Sequence, residues 1–384
     1  MTVSVAAFAR LRELLSGVNP ALPPIPLHIG EVTCAAGYER VSADHSGWWH
    51  YPTLGGTAEL RDAYARYLLR RFNIEPGERV AFEATPGSKQ AVSAAIALSV
   101  SRLSVSRPGR AAVSVALPNP FYPSYLAATQ IFGACPVFYG AGTDISRAVD
   151  GAETPVAAIV VCQPGVPCGT AMSATEFRQI SALAARHDAL LIVDECYLDF
   201  YIDDAIVSYL DVTCRPRCQY VVLHTLSKRS AAPGLRSGFM AGDPASVARY
   251  VEFNRSCGVS GSDATAAIAA ALWDDDERVE ALRQAVRRNS RAADEVLAGL
   301  VGYRSLRKGV FLWIPVRDDI SVARSLWADC GVSVMPGSFL GCETRDGNPG
   351  SNHVRISLAG DESATAEALQ RVRTYLSHEG VAVG

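Results

Sequence analysis

Of the 36 basic residues in the chain only Lys89, Lys228 and Lys308 are lysine, so chemistry that needs a side-chain primary amine has three candidates. Lys228 has the richest surroundings. The apolar run Val221–Leu223 leads into His224-Thr225-Leu226-Ser227-Lys228-Arg229, and Gly234-Leu235-Arg236-Ser237-Gly238 follows within about a dozen residues. That stretch offers an amine, hydroxyls and a fixed cation. A second apolar run, Leu190–Val193, ends in Asp194-Glu195-Cys196-Tyr197, which sets a carboxylate at a strand tip and a phenol three residues on. Ala84-Thr85-Pro86-Gly87-Ser88-Lys89-Gln90 is a Gly/Ser turn entering a helix, which would present free backbone N–H groups and a positive dipole end to an anion. Pro118-Asn119-Pro120-Phe121-Tyr122-Pro123-Ser124-Tyr125 is a rigid loop with flat aromatic faces for a planar ligand. An amine for a Schiff base, a carboxylate to keep a pyridine nitrogen protonated, and hydroxyl plus guanidinium for a phosphate are the parts that pyridoxal phosphate requires.

These groups share one location if the apolar runs are strands of one sheet, because wound α/β sheets bind ligands at the carboxyl ends of their strands. From Glu59 to about Ala271, helical periodicity alternates with short β-branched runs, the pattern of βαβ units on a largely parallel sheet. Strands are expected at Ala111–Leu117, Pro136–Tyr139, Val156–Val161, Ala189–Val193, Tyr220–Leu223 and Gly238–Ala241, most of them buried on both faces. Helices are expected over Gly56–Phe72 and Ala174–His187, the latter with Ser173 as N-cap and Glu176 at N3. Past Ala271 the texture changes to a charged segment, Asp274–Arg288, then a strand-like Val310–Pro315 and a terminal helix, Ser363–His378. The expected division is a large α/β domain over residues 46–275 and a small α+β domain over 276–384, with the proline-rich first 45 residues packed on the small one.

The remaining composition points to small-molecule chemistry. With 49% hydrophobic and 20% charged residues and a formal charge of −3, the 384-residue chain carries no basic footprint for nucleic acid or an anionic membrane. No apolar run reaches the length of a membrane span, and the N-terminus lacks the features of a signal peptide, so a soluble cytoplasmic protein is expected. The ten scattered cysteines read as reduced thiols. Cys214 and Cys218 are the one candidate metal half-site and have no second pair at matching spacing, so no metal is expected.

Ser227-Lys228 with Gly234 through Gly238 resembles the signature of the fold-type I, class I/II aminotransferases. Also in the family's order are His50-Tyr51-Pro52-Thr53, Pro86-Gly87-Ser88, Pro120 through Pro123, Asp194 through Tyr197, Val334 through Leu340 and Val354-Arg355-Ile356. Among subfamilies the chain looks most like bacterial N-succinyldiaminopimelate aminotransferases. The resemblance implies the fold-type I architecture, a homodimer with shared active sites, and amino-acid and keto-acid substrates. It also implies residue roles. Lys228 would hold pyridoxal phosphate covalently and move the substrate proton, Asp194 would pair with the pyridinium, Tyr197 would bond the phenolic oxygen and Tyr122 would stack on the ring. Ser88, Thr225, Arg236 and the amides near Gly87 and Lys89 would hold the phosphate, with Tyr51 reaching the partner subunit's phosphate. Arg355 would clamp the substrate α-carboxylate, with Gly30 nearby.

Blander roles compete with these. Tyr122 and Tyr125 could simply pack, Arg355 could sit in a structural ion pair, and Lys89 and Lys308 could be solvated. His50 and His224 read as structural, and Cys168 and Cys196 as small packing groups. Two departures from the family pattern bear on the reaction. In Gln163-Pro164-Gly165-Val166-Pro167-Cys168-Gly169, Val166 replaces the usual asparagine and cannot donate to the phenolic oxygen, and Gly30-Glu31 is followed by Val32 where proline is usual. The expectation is an aminotransferase for an L-amino acid, with N-succinyl-diaminopimelate-like substrates or a glutamate donor. The alternative is elimination, replacement or cyclisation on the same scaffold. A non-catalytic descendant is disfavoured by the intact Lys228, Asp194 and Arg236.

Overall fold

The computed structural model describes residues 7–33, 45–77, 79–105, 112–140, 144–211, 218–257 and 260–378. Cys34 and Cys214 lie outside them. In chain order the elements are α1 (Ala7–Leu15), β1 (Ile25–Pro26), α2 (Ala58–Phe72), β2 (Ala81–Thr85), α3 (Ser88–Val105), β3 (Ser114–Asn119), α4 (Pro123–Ile131), β4 (Cys135–Gly140), α5 (Ile145–Asp150), β5 (Val156–Cys162), α6 (Ala174–Arg186) and β6 (Leu190–Asp194). They continue as β7 (Tyr220–Thr225), α7 (Leu226–Arg229), β8 (Gly238–Gly242), α8 (Pro244–Cys257), α9 (Ala266–Asp274), α10 (Asp276–Leu297), β9 (Phe311–Pro315), α11 (Asp319–Cys330), β10 (Val332–Ser333), β11 (Met335–Pro336), β12 (His353–Ser357) and α12 (Glu362–His378).

Seven strands form one sheet in the order β2-β8-β7-β6-β5-β3-β4. β8 runs antiparallel to both β2 and β7, and the other pairings are parallel. Every residue of β6 and β7 is buried, as continuous apolar runs in a sheet covered on both faces require. One cover is built on α2, α6 and α9 and the other on α3, α4 and α8. The six expected strands are present, the first shifted from Ala111–Leu117 to β3. β2 was not expected: its five residues alternate weakly and pair only through β8. At α6, Ser173 Oγ accepts from Glu176 N while Glu176 accepts from Ser173 N, so the expected reciprocal cap forms.

After α10 a three-stranded antiparallel sheet, β11-β12-β9, packs with α10, α11 and α12 around a separate core. The N-terminal segment is stitched to this part of the chain. β1 pairs parallel with β10, Leu27 N donates to Ser333 O, Ser357 N donates to Leu27 O, and Arg371 donates to Pro23 O. Tyr197 and Phe200, just beyond β6, belong to this second core, so the turn after Asp194 crosses from one core to the other.

Candidate active site

β6 and β7 lie side by side in register, Asp194 opposite Leu223, which brings Asp194 and Thr225 to the same edge of the sheet. Asp194 is buried at 5% exposure. Its carboxylate accepts a 2.7 Å bond from Tyr125 Oη and a 3.2 Å bond from Cys196 N. Burial pushes its pKa above the usual carboxylate value, and these hydrogen bonds oppose the shift. Tyr125 thus does more than pack. The helix α4 carries it one turn past Tyr122, and that i, i+3 spacing was the one sequence signal that linked it to the site.

Thr225 ends β7 and caps the single-turn helix α7: its Oγ1 accepts from Ser227 N and donates towards Ser227 Oγ and Ser237 O. The same turn carries Lys228 into a partly buried position. Lys228 Nζ donates to Gly30 O at 2.8 Å and lies 5.5 Å from the centre of the Tyr197 ring. Burial lowers its pKa from the ordinary lysine value. Tyr197 Oη donates to the same Gly30 carbonyl at 3.1 Å. A Cβ at position 30 would come within 2.2 Å of Phe311 Cζ and 2.6 Å of Tyr197 Oη, so only glycine fits.

At the opposite end of this cluster, Gly87 adopts φ +96° at the start of α3. Arg236 clasps this turn, donating to Pro86 O at 2.9 Å and Pro233 O at 2.8 Å, and a Cβ on Gly87 would lie 2.7 Å from its Nη2. Free helix N–H groups and a guanidinium therefore converge on one small space. Ser88 Oγ accepts from Cys196 Sγ at 3.0 Å. The Lys89 side chain is exposed. Tyr122 caps α4 and meets the Tyr125 ring edge-on at 5.6 Å between centres.

Arg355 comes from the small sheet. It is buried at 5% exposure, donates to His28 O at 2.9 Å and stacks 4.2 Å from the centre of the Phe311 ring. Its Nε has no partner, and no carboxylate pairs with it among the described residues. Burial pulls its pKa down to about 10, leaving it cationic at neutral pH. A structural ion pair is therefore not what holds Arg355. Arg229 is the contrasting case: its guanidinium bonds Asp276 at 2.5 Å and faces Asp199, which makes it a structural cation.

Tyr51 is 99% exposed and stands apart from this cluster. His224 is structural, held between Tyr64 Oη at 2.7 Å and Glu195 Oε2 at 3.0 Å behind the sheet edge. Val166 packs against the second core, and Gln163 in the same loop bonds Met172 and Val207 through its amide. A cavity of about 890 Å³ is lined by Phe138, Phe311, Trp313 and His353 and shares Phe311 with the surroundings of Arg355 and Gly30. A second cavity, of about 510 Å³, lies at the ends of β3, β4 and β5 and touches Val166.

A lysine, a buried carboxylate, an anion cradle and an unpaired buried arginine around one sheet edge define a class of cofactor-dependent enzyme. Over residues 28–372 the chain matches the family of class I and II aminotransferases, and it belongs to that family. It is an enzyme that transfers amino groups, and the cofactor of its class is pyridoxal phosphate. It is similar to the 4-dedimethylamino-4-oxo-anhydrotetracycline transaminase of Streptomyces rimosus, 29% identical over 84% of this chain and 85% of that protein. A probable N-acetyl-LL-diaminopimelate aminotransferase of Bacillus subtilis is 27% identical over 85% of this chain and 81% of that protein. Among solved structures, an aminotransferase from Neisseria meningitidis superposes with a TM-score of 0.83 at 26% identity, covering 96% of this chain and 97% of that one.

Proposed function

We propose that Lys228, Asp194, Tyr197 and Arg355 are the working groups of this aminotransferase, and that it moves an amino group between an L-amino acid and a 2-keto acid. The observation that carries the reading is Arg355, a buried guanidinium with an orphaned Nε, set beside Gly30 and the Lys228 amine. An unpartnered buried cation costs several kcal/mol, which a substrate carboxylate would offset through a bidentate pair. When bound, pyridoxal phosphate supplies an electron-withdrawing ring that lets the substrate Cα give up its proton.

Several observations support the fit of that cofactor. The Gly87–Ser88 turn with Arg236 has the donors a phosphate needs, with the Lys89 amide and Thr225 beside it, and the Tyr122 ring offers a flat face. Asp194 is aimed from a strand tip with Tyr125 and Cys196 N holding its oxygens in place, so it can keep a ring nitrogen protonated. Tyr197 Oη can donate to a phenolic oxygen. Burial lowers the Lys228 pKa from the ordinary lysine value, which makes the amine a readier proton acceptor beside the substrate Cα.

In this reading residues 46–275 bind the cofactor and 276–384 form the small domain, with the first 45 residues on the latter. β1–β10 pairing supports that division. The enzyme works as a homodimer in which Tyr51 reaches the partner's phosphate. The exposed aromatic patch of Trp48, Trp49 and Tyr51 supports such an interface. The cytoplasm is its place, in keeping with free thiols at Cys162, Cys168 and Cys196. For substrates the reading takes L-glutamate as donor and, as acceptor, a 2-keto acid with a long acylated or dicarboxylic side chain, the oxo counterpart of an N-succinyl-diaminopimelate-like amino acid. A structure of N-succinyldiaminopimelate aminotransferase from Mycobacterium tuberculosis shares the fold at 22% identity, and the Bacillus relative is named for an acylated diaminopimelate.

The test is an absorbance spectrum of the protein with pyridoxal phosphate before and after L-glutamate, with 2-oxoglutarate assayed alongside. Conversion to the pyridoxamine form with stoichiometric 2-oxoglutarate is expected. An unchanged spectrum with glutamate would overturn the donor, and an ammonia-releasing reaction in place of transfer would overturn the reaction type.

A further inference from the structure

Cys196 sits one residue past the β6 tip in a turn that faces the start of α3, and it touches both ends of the anchoring groups. Its backbone N–H donates to Asp194 Oδ1 at 3.2 Å, and its Sγ donates to Ser88 Oγ at 3.0 Å. Among the described residues no hydrogen bond has Ser88 Oγ as its donor. A hydroxyl has one proton and two lone pairs, so a thiol proton on one lone pair excludes the rotamers that aim the hydroxyl proton back at sulfur. Burial, foremost, and the Asp194 carboxylate raise the thiol pKa well above its ordinary value against the opposing Ser88 contact, so the thiol keeps the proton it donates.

We propose that Cys196 is a positioning residue for the cofactor phosphate: by donating to Ser88 Oγ it turns the Ser88 proton towards the anion cradle formed by Gly87, the first turn of α3 and Arg236. The inference rests on the reading of Ser88 as a phosphate ligand. A sequence view gave Cys196 only a packing role, because nothing along the chain joins residue 196 to residue 88. The sheet joins them, since β2 feeds α3 and β6 ends at the same edge.

The test is a set of dissociation constants for pyridoxal phosphate and for pyridoxal, which lacks the phosphate, in wild type, Cys196→Ala, Cys196→Ser, Ser88→Ala and the Ser88→Ala/Cys196→Ala double variant. Loss of one neutral hydrogen bond is expected to weaken pyridoxal phosphate about two- to tenfold in Cys196→Ala while leaving pyridoxal unchanged. Cys196→Ser, which keeps a donor, restores the affinity, and Cys196→Ala adds nothing in the Ser88→Ala background. Equal losses for the two cofactors would mean that Cys196 acts through Asp194 or packing, and would overturn the inference. Tighter pyridoxal phosphate in Cys196→Ala would mean that Ser88 donates to sulfur, and would also overturn it. If Ser88→Ala leaves both constants unchanged, the phosphate role of Ser88 fails. If Ser88→Ala weakens only pyridoxal phosphate and Cys196→Ala does not, the inference alone fails.

Discussion

Replacing Tyr125 by Phe removes one oxygen and keeps the ring, so it isolates the 2.7 Å bond to the buried Asp194 carboxylate. The partner is a charged acceptor with little solvent access, where such bonds contribute about 1.5–3 kcal/mol. Burial already raises the Asp194 pKa, and the Tyr125 hydrogen bond pulls it back, so losing that bond raises the pKa further. The sign follows from linkage. A carboxyl raised in the folded state contributes stability below its unfolded pKa and loses it as pH rises through the folded value. The variant therefore bears its full penalty, about 1.5–3 kcal/mol, where Asp194 is ionised, and a smaller one, about 0.5–1.5 kcal/mol, where it is protonated. Urea denaturation of wild type and Tyr125→Phe on either side of the Asp194 titration, located by its carboxyl NMR shift in the wild type, measures both. A larger loss above that titration than below it is expected. An equal or larger loss below that titration, or less than about 0.5 kcal/mol above it, refutes the idea that Tyr125 holds an ionised carboxylate.

Three further outcomes are expected. Borohydride reduction with pyridoxal phosphate should label Lys228 in the wild type, and Lys228→Ala should show no reducible attachment; a label on Lys89 or Lys308 would move the reactive amine. Arg355→Ala should lower kcat/KM for the amino acid by about 150-fold or more, as loss of two charge-assisted hydrogen bonds of about 1.5–3 kcal/mol each implies. It should leave the rate with a carboxylate-free amine unchanged, and an unaltered kcat/KM for the amino acid would take Arg355 out of the site. Gly30→Ala places a methyl 2.2 Å from Phe311 Cζ, so thermal unfolding should report a loss of about 1–3 kcal/mol together with reduced turnover. A fully stable, fully active Gly30→Ala protein would show that the Gly30 segment does not pack as described.

Apolar runs ending in polar residues were readable along the chain because a strand buried on both faces must be continuously apolar and its tip must face solvent or ligand. That is why β5, β6 and β7, and with them the strand-tip positions of Asp194 and Thr225, are legible in the sequence. β2 escaped because it is a short strand beside the one antiparallel member of the sheet, where alternation is weak and pairing partners lie far away in sequence. Tyr125 and Cys196 were legible as residue types but not as partners: their bonds to Asp194 and Ser88 span 69 and 108 residues.

Residue types and local spacing determined the menu of chemistry in this protein: one well-placed amine, a strand-tip carboxylate, a glycine turn opening a helix, and the motif order of a family. Tertiary structure decided which of these groups meet and in what state of charge. The Gly30 carbonyl between Lys228 and Tyr197, the unpaired Arg355 against Phe311, and the Tyr125 bond under Asp194 all join segments that no local pattern relates. Burial then sets the direction of each pKa, and burial is a property of the packed chain that a residue's neighbours in sequence do not fix.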